Sequence, residues 1–503
     1  MEEIAAQDLS HQLRKTLSIG IAVCRVTLTA SINFCHPERS GSHFCEPAVA
    51  TPTIVEFVTN AAHVRYEQQL THSQSSALNA VSFGFPYHFC AGPQAPLDVC
   101  PADAPGRSKM ISVAIVGSGP YALSLAAHLN PLDVDYRIFG PVMEAWDKHM
   151  PPGMFLKSDG FASDLYAPGD GYRLEEYCRE NDIPYAPVGP PVKRTTFVDY
   201  GKEFQRRFAP GLEETMIVRI SQIPGGYELE TAEGDTVQAK QVVLAVGISH
   251  FPYLPRVMDG LPREAVSHTF HHGPFDAFRG KHVMVIGAGA SAVNAAVALN
   301  EAGAETELMA RAAKISFHDR SPDYRPLMDR ITNPRSVIGL GWRSKVAVDL
   351  PLLFHLMPQK LRHKVVAKHL GPAPGWFSRD GFVGHVNTYM SSHLEEVTEA
   401  GSKVRVRYRD AEGAAQELLV DHVVGGTGFR PYLKSLKFID PGLAAKIQTA
   451  EETPILDSNF STSVDGLYMT GLASANNFGP MCRFACGAKF TARRLSRRLA
   501  KVS

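Results

Sequence analysis

Two glycine-rich turns contain the residues best suited to chemistry. The first consists of Gly117, Ser118, Gly119, Pro120, Tyr121 and Ala122, with the pattern G-x-G-x-x-A. In such a turn the first glycine permits a tight bend, the second lets a pyrophosphate approach the backbone, and the alanine lets the next helix pack closely on the strand. The unpaired amides and the positive dipole end of that helix attract phosphate. The pattern predicts a dinucleotide site, with a simple strand-to-helix joint as the alternative.

The second turn repeats this pattern with Gly287, Ala288, Gly289, Ala290, Ser291 and Ala292. At the end of the strand that follows it, the sequence has Arg311 rather than an acid. An acid there would repel a ribose 2′-phosphate, whereas arginine accommodates one. The second turn therefore predicts an NADPH site, with a solvated surface charge as the alternative for Arg311. After the first turn the ribose-binding acid is missing, and Glu144 is a weak substitute for it.

The elements around both turns are those that a dinucleotide site requires. The pattern predicts strands at 111–116 and 282–286, helices at 121–129 and 292–299, and further strands at 134–139 and 305–310. The first strand of each unit is β-branched and apolar, as buried parallel strands are. A strand–turn–helix–strand order makes a short glycine motif far more specific than it is alone. The fold class is therefore α/β, with two Rossmann-like dinucleotide-binding domains.

Three further strands end at glycines. Hairpins are predicted at 227–246 and 404–420. The chain that ends the first hairpin leads to Gly247, the chain that ends the second leads to Gly428, and a late third strand leads to Gly471. Small residues let a chain pass close to a bound group. Ligands of α/β sheets bind at the carboxyl ends of the strands, so we expect these glycines to lie near the first dinucleotide.

The composition is ordinary for a globular chain. Of 503 residues, 44% are hydrophobic and 20% charged, and the net charge is zero, so nothing favours nucleic acid as a partner. No run of about eighteen apolar residues occurs, so no membrane span is predicted. The cysteines are concentrated before residue 110, which leaves no disulfide framework for the rest and predicts a cytoplasmic protein. No cysteine and histidine spacing indicates a metal site.

Residues 1–109 differ from the rest of the chain. They lack helical or strand periodicity, and their end, 91–107, is rich in proline and alanine like a linker. Met110 is followed at once by a clean strand. We therefore expect a poorly ordered or artefactual extension, with Met110 as the real start. A genuine regulatory extension is the alternative.

The order of these motifs after Met110 resembles that of the two-dinucleotide flavoproteins, and among them the NADPH-dependent FAD monooxygenases, a group with N-hydroxylating and Baeyer–Villiger enzymes. The shared order is an FAD glycine turn, Ala-Val-Gly247, a linker with His268, an NADPH glycine turn, and Gly-Thr-Gly428-Phe-Arg-Pro. A segment with Lys157 and Ser158 resembles the one that approaches the flavin in these enzymes, although an exposed loop is the alternative.

This resemblance implies the domain organisation and the roles of the residues. The FAD-binding domain would comprise 110–266 and 403–503, with an NADPH-binding domain, 267–402, inserted. The FAD residues would be the six of the first turn with Gly247, Gly428 and Gly471. The NADPH residues would be Gly287, Gly289, Ala290, Ser291, Ala292 and Arg311. Lys157, Ser158 and His268 are the catalytic candidates.

The resemblance also implies a reaction. NADPH would reduce FAD, and the reduced flavin would bind oxygen as a peroxyflavin and transfer one oxygen atom to a small organic substrate. One alternative is an NADPH reductase or oxidase without oxygen insertion, and another is a non-catalytic flavin-binding sensor. A disulfide reductase would have to use Cys482 and Cys486, one helical turn apart. Such cysteines more often pack as small apolar residues.

Overall fold

The computed structural model describes residues 110–369, 371 and 373–502, so the predicted extension at 1–109 lies outside the described residues. The strands are β1 (Ile111–Val116), β2 (Tyr136–Phe139), β3 (Ile217–Ile223), β4 (Gly226–Thr231), β5 (Thr236–Leu244), β6 (Val266–His268), β7 (His282–Ile286), β8 (Glu305–Met309), β9 (Arg335–Ser336), β10 (Gly339–Leu340), β11 (Asn387–Tyr389), β12 (His393–Ala400), β13 (Lys403–Arg409), β14 (Ala415–Val420), β15 (His422–Gly425), β16 (Thr449–Ala450), β17 (Thr453–Pro454) and β18 (Leu467–Met469). The α-helices are α1 (Pro120–Leu129), α2 (Glu144–Asp147), α3 (Leu174–Glu180), α4 (Arg194–Phe208), α5 (Ala290–Glu301), α6 (Leu327–Thr332), α7 (Trp342–Asp349), α8 (Pro351–Leu356), α9 (Gln359–Lys368), α10 (Arg379–Phe382), α11 (Pro441–Ala444), α12 (Ala475–Phe478) and α13 (Ala488–Leu499).

The first sheet is built around β5. The first half of β5 pairs antiparallel with β4, its second half pairs parallel with β18, and β1 also pairs parallel with it. β2 and β3 complete the order β2-β1-β5-β4-β3. Val113, Ala114 and Ile115 are fully buried, as expected for a parallel strand that is covered on both faces. Because β1 ends next to Gly117, the first glycine turn lies at the carboxyl end of this strand.

The second sheet is parallel throughout, with the order β11-β8-β7-β15-β6. Successive residues of a strand point to opposite faces, and β7 uses both faces for packing. Val283 and Val285 pack with the buried residues of α5, whereas Met284 and Ile286 pack with the antiparallel sheet β12-β13-β14. The predicted α/β fold with two dinucleotide-type sheets is confirmed.

The second sheet is inserted into the first, because all its strands lie in sequence between β5 and β18. The boundary predicted at residue 403 is, however, too early. β15 follows the antiparallel sheet and pairs with β7 of the second sheet. The hairpin of β4 and β5 is similar in pattern to that of β13 and β14, yet only the former joins the first sheet. Periodicity does not record which sheet a hairpin joins, so the boundary after Gly425 could not be predicted.

Pro358 separates two helices of the second half of the chain. α8 ends at Leu356 and α9 begins at Gln359. Proline lacks an amide hydrogen and its ring clashes with the preceding turn, so it separates the two helices. Among the helices in the described ranges, none combines the length and apolar character needed to cross a bilayer.

Candidate cofactor and substrate site

The first glycine turn joins β1 to α1 under tight packing. Gly117 has φ +116°, and a Cβ at this position would overlap the carbonyl oxygen of Ala245 at the end of β5. Gly119 differs, because its φ is −90° and no atom lies within 4 Å of the position that a Cβ would take. No side chain caps the first turn of α1. The turn thus has one glycine packed against the sheet and another that faces open space beside uncapped amides.

The second glycine turn repeats this packing between β7 and α5. Gly287 has φ +140°, and a Cβ there would overlap the carbonyl oxygen of Gly426, which follows β15. A Cβ on Gly426 would in turn overlap Ala292, which is fully buried in α5. Gly289 precedes α5, whose first turn also has no side-chain cap. Arg311 is exposed two residues after β8.

Two neighbouring cavities face these turns. The first has a volume of about 340 Å³ and is lined by Gly117, Ser118, Gly119, Pro120 and Tyr121. The second has a volume of about 300 Å³ and is lined by Ala290 and Ser291 at the start of α5. The cavities share wall residues, namely Trp146, Met150, Ile248, Phe429, Arg483, Phe484 and Ala485. The two turns therefore open on adjacent cavities that have a common wall.

The far end of the first cavity has no acid at the end of β2. Gly140 has φ +129°, and the Ser118 hydroxyl donates a hydrogen bond to the carbonyl oxygen of Pro141. This contact fixes the chain where the ribose-binding acid was expected. Glu144, in the first turn of α2, lines the cavity instead.

The three glycines predicted at strand ends occupy different places. Gly247 and Gly471 both have positive φ and line the first cavity. Gly428 lines neither cavity. Its carbonyl oxygen accepts hydrogen bonds from the amide of Tyr253, at 3.0 Å, and from Nε2 of His268, at 3.0 Å. Gly428 therefore joins the linker to the end of β15.

His268, a predicted catalytic candidate, is fully buried in β6 and lines neither cavity. Its Nδ1 accepts a hydrogen bond from the Phe270 amide at 3.1 Å, so the hydrogen lies on Nε2, which donates to Gly428. Burial is the main cause that lowers the pKa of His268 to about 4. A neutral ring with both nitrogens used by the backbone fits a positioning residue.

Lys157 and Ser158, the other two catalytic candidates, line the second cavity. The Ser158 hydroxyl lies 2.8 Å from that of Ser163, which donates to the Asp159 carbonyl oxygen. Lys157 Nζ donates to the carbonyl oxygen of Ala373 at 3.2 Å. Burial, and to a lesser extent the charge of Arg483, lowers the pKa of Lys157.

Arg483 is the main wall residue that was not predicted. It lines both cavities, and Nη1 donates to the carbonyl oxygens of Val366, at 3.1 Å, and His369, at 3.4 Å. Burial lowers its pKa. A signal was available, since Arg483 is an isolated charge in the apolar run 478–488, and a charge seldom enters such a run without a partner.

The wall formed by Trp146 is held by a buried arginine. Arg194, at the start of α4, donates from Nη1 to the carbonyl oxygens of Trp146, at 2.7 Å, and Asp147, at 2.6 Å. The Trp146 ring also packs edge-on against Phe197, with ring centroids 4.8 Å apart. α2 is too short to be rigid alone, so these contacts fix the tryptophan between the two cavities.

Comparison with known proteins agrees with this geometry. Residues 114–335 match the family model described as pyridine nucleotide-disulphide oxidoreductase. An FAD-dependent urate hydroxylase of Xanthomonas campestris is 32% identical over 133 residues, which are 25% of this chain and 28% of that protein. A ferredoxin–NADP reductase of Granulibacter bethesdensis is 27% identical over 226 residues, 43% of this chain and 57% of that protein. The chain thus matches well under two thirds of the length of either relative.

Solved structures extend the likeness beyond the family match. An ornithine N-hydroxylase of Kutzneria sp. 744, solved with reduced FAD, NADP+ and L-ornithine, has a TM-score of 0.59 at 18% identity. The match covers 78% of this chain and 99% of that one. The chain has the two-sheet fold of the two-dinucleotide flavoproteins, and the resemblance drawn from the motif order is confirmed at this level.

Proposed function

We propose that this protein is an FAD-dependent, NADPH-using oxidoreductase that inserts one oxygen atom into a small organic substrate. The observation that carries the proposal is the wall that the two cavities share. Two glycine turns of the same construction open on two cavities that share Trp146, Phe429 and Arg483. A two-cofactor enzyme needs this arrangement, because a nicotinamide must reach a flavin that stays bound.

The first cavity suits FAD. The open space beside Gly119 and the uncapped amides of α1 form a cradle for a pyrophosphate. In the absence of an acid after β2, Glu144 is the group that would hold the ribose. Gly247 and Gly471 let the backbone lie close to the remainder of the cofactor.

The second turn would hold NADPH. Gly287, Gly289, Ala290, Ser291 and Ala292 would bind the pyrophosphate, and Arg311 would pair with the 2′-phosphate. The exposed position of Arg311 beyond β8 is compatible with a ligand phosphate at the surface. We likewise propose that the NADPH-binding domain begins near residue 267, and that the protein acts in the cytoplasm.

A bound flavin supplies the redox chemistry, and the protein has to orient it and keep water from the reacting atoms. Apolar and aromatic side chains form the walls where the cavities meet, among them Trp146, Ile248 and Phe429. Such walls favour transfer of oxygen to a substrate over its release as peroxide. We therefore favour oxygen insertion.

A reductase without oxygen insertion is the second candidate, favoured by the match to a ferredoxin–NADP reductase. Disulfide reduction fits less well. Burial raises the pKa of both Cys482 and Cys486 to about 12, whereas dithiol chemistry requires a thiolate. Both cysteines are buried beside the cavities, as small apolar residues are.

The experiment that separates the two candidates follows the fate of oxygen. The purified protein, loaded with FAD, is supplied with NADPH, labelled oxygen gas and a panel of small organic compounds. Label in an organic product supports the monooxygenase. If all reducing equivalents appear as peroxide, or in an added acceptor protein, for every compound, the reductase or oxidase is correct.

A further inference from the structure

Three consecutive helices, α7, α8 and α9, have one face packed on the protein and another face exposed. Ser344, Ala347 and Phe354 are buried on the inner face. His355 stacks on Phe478 of α12, with ring centroids 5.1 Å apart. Because these contacts fix the inner face, the outer face of the three helices is available to a partner.

The outer face carries large apolar side chains, which we call the apolar patch. Trp342 and Val346 are four residues apart in α7, and Leu353 and Leu356 are three apart in α8, so each pair lies on one side of its helix. Single exposed apolar residues are ordinary, but a contiguous group marks an interaction surface. The members of the patch, between 37% and 79% exposed, are Trp342, Val346, Leu350, Leu352, Leu353, Leu356 and Leu361.

The neighbouring helix α6 adds to this surface. Leu327, Met328 and Ile331 are more than half exposed, and α6 has no buried residue. The indole Nε1 of Trp342 donates to the carbonyl oxygen of Ile331 at 3.0 Å, so the end of α6 lies beside the patch. A helix that buries none of its apolar side chains in its own chain is a further sign of an external partner.

The charges around the apolar patch are mostly positive. Residues 342–368 contain six lysines and arginines and one acid, whereas the whole chain has equal numbers of the two kinds of charge. The single acid lies 2.7 Å from Lys345 and is thus already paired. Lys360, Lys364 and Lys368 are exposed and four residues apart in α9, so they form a row along that helix. Within the described part of the chain, no ion pair includes any lysine of this row.

We propose that the outer face of α7, α8 and α9 docks on an anionic lipid surface, with the apolar patch below the headgroups and the lysine row against them. Leucine and tryptophan beside lysine are the side chains of an interfacial segment, because the apolar groups leave water while the cations meet anionic headgroups. Such docking needs no helix that crosses the bilayer. The inference goes beyond the proposed function and does not depend on it.

A second copy of this chain suits the face less well than lipid does. In a two-fold interface the same surface meets itself. The lysine row would therefore enter an interface together with its own copy, and like charges at an interface repel each other. An anionic surface, in contrast, complements the row over its whole length.

The test uses the full-length protein, with FAD supplied, and two kinds of vesicle. One kind is phosphatidylcholine alone, and in the other a third of the lipid is phosphatidylglycerol. Sedimentation gives the bound fraction at each lipid concentration. We expect binding to the vesicles with phosphatidylglycerol to be stronger by roughly tenfold or more and to weaken as salt is added. Absence of binding to both kinds, or equal binding to both, would overturn the inference.

A lysine variant tests the row. K360Q/K364Q/K368Q should weaken binding to the phosphatidylglycerol vesicles by roughly a hundredfold, since each lysine near an anionic surface contributes roughly fivefold. Three exposed lysines elsewhere in the chain provide a control of equal net charge, the variant K193Q/K240Q/K437Q. An equal loss in the two variants would show that total charge rather than the row is responsible, and the inference would be wrong.

A leucine variant tests the apolar patch. Leu353 and Leu356 are 55% and 79% exposed, so L353S/L356S should keep its stability in urea unfolding while its binding to the vesicles weakens by roughly tenfold or more. V218S/L419S is the control, because Val218 and Leu419 are similarly exposed on β3 and β14. Unchanged binding by L353S/L356S would overturn the inference. If the wild type binds no vesicles and light scattering shows an oligomer that L353S/L356S dissociates, the face joins copies of this chain and the inference is equally wrong.

Discussion

The phenolic hydroxyl of Tyr121 lies 2.9 Å from the carbonyl oxygen of Phe484 and 3.1 Å from that of Cys482. Tyr121 belongs to the first glycine turn, and Arg483 lies between its two acceptors. The contact therefore joins the first glycine turn to the segment that carries Arg483, which lines both cavities. These hydrogen bonds explain how two segments that lie more than 360 residues apart in the sequence keep a fixed relative position.

We predict that Y121F destabilises the protein and loosens Arg483. The lost hydrogen bond leaves two buried carbonyl oxygens with one partner fewer, which costs about 1–2 kcal/mol. Urea unfolding measures this loss. Y136F is the control, because the Tyr136 hydroxyl donates to Asn130 in an exposed pair and its loss should cost far less. Equal effects of the two substitutions would contradict the prediction.

The two glycines of the first turn should differ when they are replaced. G117A places a Cβ against the carbonyl oxygen of Ala245 at positive φ, so we expect loss of folded protein. G119A has room for its Cβ and an ordinary φ, so the fold should persist. The new methyl group would, however, occupy the pyrophosphate cradle. We therefore expect folded G119A with little bound flavin, measured as flavin absorbance per protein.

A G119A protein with full flavin content would show that the cofactor does not approach this turn. G234A serves as a control for G117A, because Gly234 also has positive φ but no atom lies within 4 Å of its Cβ position. If G234A loses as much folded protein as G117A, the effect is due to backbone strain at positive φ rather than to the overlap of the new Cβ.

Much of this structure could be predicted from local pattern. The glycine turns lie where the strand and helix periodicity of the sequence predicts them. That periodicity is a local signal, because it depends only on which face of a segment is buried. The boundary after Gly425 could not be predicted in this way, and the position of Arg483 in an apolar run indicates a buried charge without revealing its partners. Both depend on which distant segments meet: β15 pairs with β7, and Arg483 binds the carbonyl oxygens near the end of α9.

The role of His268 could not be predicted from the sequence either. Its position in the linker matched that of a functional histidine, but the sequence does not reveal that both ring nitrogens are used by the backbone. We predict that H268N, which can still accept the Phe270 amide, loses about 1–2 kcal/mol with the Gly428 contact. NADPH oxidation should fall by less than roughly tenfold, since a general acid or base contributes ~10²-fold or more.

The acid sensitivity of the fold should change in the same variant. The folded-state pKa of His268, about 4, lies below its ordinary value of 6.5. The neutral ring thus stabilises the fold above about pH 6.5, and this contribution is lost as the pH falls towards 4. Urea unfolding at several pH values should show that the free energy of unfolding falls less steeply with decreasing pH in H268N than in the wild type. An identical slope would contradict the assignment.

Asp164 should have the opposite pH dependence. Burial raises its pKa from 3.8 to about 6, although Oδ1 accepts the Leu174 amide at 3.0 Å. A raised folded-state pKa means that its contribution to stability is complete below about pH 4 and is lost as the pH rises through 6. D164N keeps the acceptor and cannot ionise, so it should become more stable than wild type above pH 6, by up to about 3 kcal/mol. If the free energies of unfolding of D164N and the wild type differ by the same amount at every pH, this prediction is contradicted.

The most direct test of the two-cofactor site is an anaerobic mixing experiment with FAD-loaded protein and NADPH. We predict that the absorbance of the oxidised flavin is lost when NADPH is mixed in, and that admitting oxygen restores it. We also predict that G119A shows little of this signal because it binds little flavin. A wild-type flavin that NADPH leaves oxidised, or a protein that retains no flavin at all, would contradict the central claim.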